Sequence, residues 1–219
     1  MPPEARTADL ARLGDDARHE LEASHRARET ALASCRETIR SCGLAIRAVH
    51  RLQPAEAETR VDEADQSLRR AQQALAPYPR LAAAGFLHDA EKELAEARLT
   101  SALVDGAPLP GPAHLEVGLA AWLNGLAEAA SELRRHLLDR LRDGDTDRGE
   151  ELLGAMEDVY DMLVTIEYPD AITGGLRRAT DALRSVVERS RADVTTTVLQ
   201  TTLQRAIEAR LGPATTSER

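Results

Sequence analysis

Acidic side chains recur along one line of a helical segment between residues 89 and 100. Asp89, Glu93 and Glu96 follow each other at i, i+4 and i+7, and Thr100 comes next on the same line. Like charges stacked in this way destabilise a helix slightly unless a cation compensates them. Carboxylate oxygens are ligands that magnesium and manganese prefer, so the row is either a solvated helix face or a site for a hard cation.

Two further acidic residues lie on later predicted helices. Asp161 lies opposite the apolar stripe of its helix, and Glu132 flanks the apolar stripe of the helix before it. Taken singly, each is typical of a surface charge. Taken together, they could converge with Glu93 and Glu96 on one metal-binding patch, and the spacing is compatible with both interpretations.

Two groups of arginines stand out, one along a helix face at spacings of 4, 7 and 4 and one in adjacent positions: Arg36, Arg40, Arg47, Arg51, Arg177 and Arg178. The pattern fits either a surface laced with ion pairs or a surface that follows phosphates. The chain carries 37 acidic and 28 basic residues, a net charge of −9, and Lys92 is its only lysine. Because such a chain repels nucleic acid on average, a nucleic-acid partner requires locally concentrated arginine.

Other site chemistries lack the residues that they need. Cys35 and Cys42 are the only cysteines, and no CxxC or clustered Cys/His spacing indicates a zinc site. A ferritin-like di-iron site needs two Glu-x-x-His pairs, whereas Glu22 with His25 is the only such pair. No GxSxG, GxxxxGKS or GxGxxG motif occurs. The sequence therefore argues against these classes of site.

The amino-acid composition and the positions of proline and glycine predict an all-α protein. Aromatic residues make up 2% of the 219 residues, while the strong helix formers Ala, Leu, Arg and Glu dominate. Prolines and glycines divide the chain into predicted helices at about 4–52 (one helix or two), 54–76, 81–103, 115–142, 146–166, 170–191 and 193–211. We therefore predict a single-domain bundle of about seven helices over residues 1–212, followed by a flexible tail at 213–219. Alanine-rich helices give thin cores, which favours oligomerisation.

The expected location is the cytoplasm. No run of about 18 apolar residues indicates a membrane span. The N-terminal stretch lacks the basic and then apolar pattern of a signal peptide. We therefore expect no membrane partner.

Four segments of the chain resemble the translin family, which includes translin and its partner, translin-associated factor X. The matching segments cover most of the chain in order: Cys35–Arg51, Ala84–Ala97, Trp122–Arg135 and Met156–Thr195. Within the last of them, YPDAITGGLRR is most similar to the prokaryotic, archaeal-type branch of the family.

This resemblance implies a fold, an assembly and an activity. The expected fold is an all-α subunit of seven helices that assembles into a hollow octamer. The translin-associated subunit is a metal-dependent endoribonuclease that cuts single-stranded RNA inside the shell. Its Glu-x-x-Glu pair matches Glu93 and Glu96, its later aspartate matches Asp161, and a recurring family glutamate matches Glu132.

The leading hypothesis is therefore a Mg²⁺-dependent endoribonuclease, with Mn²⁺ as a possible substitute. Glu93, Glu96 and Asp161 would be ligands or base, Glu132 would support them, and the two arginine groups would guide the RNA. The alternative is a non-catalytic shell of translin type that binds single-stranded RNA or DNA. Translin itself lacks the full acidic set, so the presence of all the matched residues here favours the nuclease. A third interpretation, a helical scaffold without a nucleic-acid role, would require the arginine faces to be fully paired with carboxylates.

Overall fold

The computed structural model describes residues 3–211, and all regular structure within that range is helical. The helices in this range are α1 (Pro3–His50), α2 (Pro54–Leu75), α3 (Pro79–Ala82), α4 (Phe86–Asp105), α5 (Leu119–Arg142), α6 (Thr146–Val164), α7 (Asp170–Thr173) and α8 (Leu176–Leu211). The all-α prediction is confirmed. The predicted tail at 213–219 lies outside the described residues.

Proline and glycine set most of the helix boundaries. Pro54 stands at the start of α2, where its missing N–H is not needed. The predicted helix at 81–103 is wrong at its beginning, because Pro79–Ala82 forms a separate turn and Gly85, at a φ of 96°, precedes α4. The predicted start at 115 is also early, since Glu116 adopts a φ of 54° and α5 begins at Leu119.

The C-terminal part of the chain forms one helix where the sequence predicted two. The predicted break between residues 191 and 193 is wrong, because α8 contains no proline or glycine and runs from Leu176 to Leu211. Thr195, Thr196 and Thr197 donate their hydroxyls to the carbonyls four residues earlier, so the threonine-rich turn satisfies its polar groups locally.

Helix α4 lies between two apolar cores. The first core joins α1, α2 and α4 through residues such as Cys42, Leu68 and Leu94. The second joins α4 to α5, α6 and α8, with Leu99, Leu133, Met156 and Leu183 among its members. A polar side chain on α4 can therefore be held rigidly between packed helices, which matters for Glu96.

Both long helices carry exposed apolar side chains near the chain ends. Helix α1 exposes Leu10, Leu13 and Leu21. Helix α8 exposes Leu199, Leu203 and Ile207, at spacings of four residues that place them on one face. Among residues 3–211, no helix is both long and apolar enough to cross a membrane.

Candidate metal centre and nucleic-acid interface

Three glutamates meet where α4 packs against α5. Glu93 and Glu96 come from α4 and Glu128 comes from α5, and one carboxylate oxygen of each lies within 4.8 Å of the others. Glu93 and Glu128 are half-buried, whereas Glu96 is only 8% exposed. Asp89, the first member of the predicted row, is exposed on the surface. In the predicted row, Asp89 is therefore a solvated surface charge, whereas Glu93 and Glu96 belong to the carboxylate cluster.

A glycine allows α4 and α5 to approach closely at this cluster. A Cβ atom on Gly125 would lie 2.7 Å from the backbone oxygen of Lys92 and 2.9 Å from the backbone nitrogen of Glu96. Glu128 follows three residues later, about one helical turn along α5. Because Gly125 has no side chain, α5 can approach α4 closely enough to place Glu128 next to Glu93 and Glu96.

The cluster concentrates negative charge in a partly dry place. Burial raises the pKa of Glu96 to about 9, and the charges of Glu128 and Glu93 add to this effect. At neutral pH the metal-free protein therefore keeps Glu96 protonated. A divalent cation bound to the three carboxylates would compensate their charge, so Glu96 would release that proton.

The chain's single lysine also lies at the cluster. Lys92 Nζ is 3.2 Å from Glu93 Oε1 and donates a hydrogen bond to Glu128 Oε2. Burial disfavours the ammonium, but the hydrogen bond and charge of Glu128, together with Glu93, outweigh burial and raise the pKa of Lys92. Lys92 is therefore charged at neutral pH.

The donor set fits a hard cation. All three groups offer oxygen ligands, the chemistry that Mg²⁺ and Mn²⁺ prefer, and no sulfur or imidazole takes part in the cluster. The ligand atoms come from two helices packed through buried residues, so the cluster is supported on both sides. The cluster can therefore hold one divalent ion while leaving positions for water and phosphate oxygen.

Glu132 lies one turn beyond Glu128 on α5 and has a different environment. Its Oε2 is 2.7 Å from His50 Nε2, and His50 Nδ1 lies 3.1 Å from His136 Nε2. The hydrogen bond to His50 lowers the pKa of Glu132, so this carboxylate stays ionised. Burial, followed by the charge of His50, lowers the pKa of His136. The side chain of His50 is 5% exposed, which makes this a largely buried contact between the end of α1 and α5.

Asp161 lies apart from the three-glutamate cluster. It is exposed on α6 and lines a surface cleft between α6 and α8 together with Arg184 and Arg191. Arg191 in this cleft is bound to Glu157 at 2.7 Å. The structure therefore brings Glu93 and Glu96 together, places Glu132 one turn away along α5, and does not bring Asp161 to them.

The predicted arginines are all exposed, and most of them lack a carboxylate partner. Within residues 3–211, the ones that form no ion pair are Arg36, Arg47, Arg51, Arg177 and Arg178. Arg40 pairs with Glu37 at 2.7 Å. Arg47 lies one turn before His50 and Arg51 follows it directly, so these two arginines flank His50 in the sequence.

Sequence reasoning missed Glu128, His50 and His136. The signal for Glu128 was its spacing of four from Glu132, which places both carboxylates on one face of α5. The two histidines are 86 residues apart in the chain, and only the tertiary fold, in which α1 packs mainly against α2 and α4, brings them together. Local patterns do not carry that information.

Fold and site together define an all-α bundle with a half-buried carboxylate cluster between two central helices. The crystal structure of AfC3PO has this fold, with a TM-score of 0.79 and 32% sequence identity, and the match covers 85% of this chain and 97% of that one. AfC3PO in complex with duplex RNA matches with a TM-score of 0.77 and 32% identity, over 85% of this chain and 96% of that one. The chain belongs to the translin family, in its archaeal-type branch.

Two more distant proteins are also similar to this chain, one in fold and one in sequence. The crystal structure of apo-NeC3PO shares the fold, with a TM-score of 0.76 and 17% identity over 90% of this chain and 98% of that one. An uncharacterized protein of Methanocaldococcus jannaschii is 26% identical over 171 residues, which is 77% of this chain and 75% of the relative. No family model matches the chain.

Proposed function

We propose that the protein is a metal-dependent endoribonuclease that cleaves single-stranded RNA, with Mg²⁺ or Mn²⁺ held by Glu93, Glu96 and Glu128. The observation that carries the proposal is the convergence of three carboxylates within 4.8 Å at the contact between α4 and α5. The complex of AfC3PO with duplex RNA supports RNA as the ligand class. Asp161, which the family resemblance suggested as a ligand, is left out of the proposed set because it lies elsewhere.

The chain's own residues have distinct roles in this proposal. A bound divalent cation would neutralise phosphate charge and lower the pKa of the attacking water. Glu93, Glu96 and Glu128 hold it. Glu132, kept ionised by His50, lies one turn from Glu128 and accepts the proton of that water. The water oxygen bonds to phosphorus and the bond from phosphorus to the ribose oxygen breaks. The departing ribose oxygen takes up a proton from solvent, and the RNA is cut in two.

The RNA backbone would reach the cluster along unpaired arginines. Arg47 and Arg51 flank His50 at the end of α1, next to Glu132. On α5, Glu132 and the exposed Arg135 line the same open cleft. These cations would bind phosphates and set the position of the strand, whereas the acidic cluster itself repels RNA unless it is neutralised.

We propose further that the protein works as a homo-oligomeric shell of eight subunits. The exposed apolar side chains of α1 and of the end of α8 support association, because a single subunit leaves them in water. The membership in the translin family supports the closed form of the assembly. Light scattering on the purified protein measures the subunit number.

Cleavage of labelled RNA with Mg²⁺ and with EDTA tests the activity. Single-stranded and duplex substrates should be compared, and single-stranded DNA serves as a further ligand. The Glu96→Gln variant should lose cleavage while it still assembles, and the Glu93→Ala/Glu96→Ala double variant should do the same.

A matched pair of variants tests the ligand set. Glu128→Gln should abolish cleavage, whereas Asp161→Asn, which removes one charge in the same way, should leave it largely unchanged. The opposite result would remove Glu128 from the mechanism and restore Asp161 to it.

The second candidate function is binding of RNA without cleavage. It is favoured by the complex of AfC3PO, in which RNA is present as a duplex. Metal-independent binding with no cleavage of either substrate would establish this function, and the glutamates would then be a structural cluster.

A further inference from the structure

The position of the only lysine is unusual for this chain. Every other basic side chain that is permanently charged is an arginine, yet a lysine lies at the carboxylate cluster. Its ammonium contacts Glu93 and Glu128, which are two of the three clustered residues. The side chain is 20% exposed, so its far end retains a route to solvent.

We infer that Lys92 is a built-in competitor of the divalent cation: its ammonium occupies Glu93 and Glu128 in the metal-free protein and leaves them when the ion binds. The inference rests on the proposed cation site and adds a residue that controls its occupancy. It assigns Lys92 a positioning role, because the lysine acts through the carboxylates.

The competition follows from the shared carboxylates. An ion bound to the cluster approaches carboxylate oxygens to roughly 2.0–2.6 Å. The ammonium already contacts the same two carboxylates, at 3.2 Å in the case of Glu93. Ion and ammonium would then be close neighbours of like sign in a partly buried place, where their repulsion is weakly screened.

A lysine suits this role better than an arginine. Lysine carries a compact point charge on a flexible stem, whereas arginine binds carboxylates with a rigid two-pronged group. The stem of Lys92 can swing its charge toward water without disturbing the backbone of α4. The lysine thereby stabilises the cluster of three carboxylates in the absence of metal, and the ion displaces its ammonium when the ion concentration is high.

Amine labelling of the unmodified protein tests the release directly. Lys92 provides the chain's only side-chain amine, so a short pulse of an acetylating reagent, followed by peptide mass spectrometry, reports on it alone. We expect slow acetylation in EDTA and at least several-fold faster acetylation when Mn²⁺ or Mg²⁺ is added. Potassium chloride at the same ionic strength should not accelerate it. Equal rates with and without the divalent ion would overturn the inference.

Binding of Mn²⁺, measured by electron paramagnetic resonance, gives the second test. Lys92→Met should bind Mn²⁺ about tenfold more tightly or better, whereas Lys92→Arg should bind no more tightly than the original protein. The matched control is Arg98→Met, because Arg98 lies on the same helix and also pairs with two carboxylates, Glu58 and Asp62. It should change Mn²⁺ affinity far less than Lys92→Met does.

Thermal unfolding separates competition from a purely structural role. In EDTA, Lys92→Met should unfold at a lower temperature, because the three carboxylates lose their counter-ion. With saturating Mn²⁺ the difference should vanish or reverse. If Lys92→Met still unfolds at the same lower temperature relative to the original protein in Mn²⁺, the inference is contradicted and Lys92 is a structural ion-pair partner.

The two proposals fail in different ways. If neither the original protein nor Lys92→Met binds Mn²⁺, the cation site itself is absent and both proposals fall. If both bind Mn²⁺ with equal affinity, the nuclease proposal stands and the role of Lys92 falls.

Discussion

The protonation of Glu96 makes a quantitative prediction about stability. Burial and the neighbouring carboxylates raise its pKa to about 9, from 4.5 for the free group. Between these values the folded protein carries a proton that the unfolded chain has lost. The stabilising contribution is therefore fully present below pH 4.5 and is lost as the pH rises toward 9.

Glutamine at position 96 removes this dependence. The Glu96→Gln side chain has nearly the shape of the protonated acid and stays neutral at every pH. One proton corresponds to about 1.4 kcal/mol per pH unit, so the unfolding free energy of the original protein should fall by roughly 3 kcal/mol more than that of the variant between pH 6 and pH 8. Titrating groups away from the cluster are common to both proteins and cancel in the difference.

Urea unfolding followed by circular dichroism measures this difference. Both proteins are unfolded in EDTA at pH 6, 7 and 8 and at one protein concentration, because an oligomer's stability depends on concentration. Adding Mg²⁺ at pH 8 should stabilise the original protein more than the variant. If the two unfolding free energies stay parallel across this pH range, Glu96 is ionised at neutral pH and the reasoning about the cluster is refuted.

Three further substitutions test the packing, the histidine contact and the arginine path. Gly125→Ala should lower the free energy of unfolding in urea by about 1–3 kcal/mol and weaken Mn²⁺ binding, because the added methyl group meets the backbone of α4. Gly154→Ala is the matched control: its methyl group would enter open space, so the free energy of unfolding should stay the same or rise. Burial lowers the pKa of His136 in the folded protein, so the free energy of unfolding should fall as the pH drops below about 6.5. In His136→Gln the melting temperature should depend less on pH between pH 7 and pH 5. Arg47→Gln should weaken binding of single-stranded RNA and reduce the slope of log affinity against log salt by about 0.7; an unchanged slope would place Arg47 away from the phosphates.

Local signals were sufficient for most of the fold. Proline and glycine act within a few residues, so the beginning of α2 could be predicted from Pro54 and that of α6 from the turn at residues 143–145. The cap of α6 was predicted at Thr146 or Asp147, whereas Asp145 caps the helix by accepting from the backbone N–H of Arg148. The break that was predicted near residue 192 is absent from α8, whose threonine run has only a weak intrinsic preference for the helix. Packing and local hydroxyl bonds override that preference in α8.

The site was only half predictable for a related reason. Glu93 and Glu96 share one helix, so their proximity follows from spacing alone. Glu128 joins them because α4 and α5 pack at a particular height, which Gly125 sets through close approach. Asp161 shows the converse case, since its segment resembles a family motif but its helix face points into another cleft.

The same packing explains why the net negative charge of the chain does not argue against an RNA partner. The carboxylates of the cluster are partly neutralised in place, by the proton on Glu96 and by Lys92. The charge of Arg135 acts on Glu132, and the unpaired Arg47 and Arg51 flank His50 in the sequence, so several cations belong to the region around the site. Phosphate is attracted by this local field and not by the net charge. A divalent ion that replaces the proton and the ammonium would leave the charge of the cluster unchanged, but it would offer coordination positions to a phosphate oxygen at the point where cleavage is proposed.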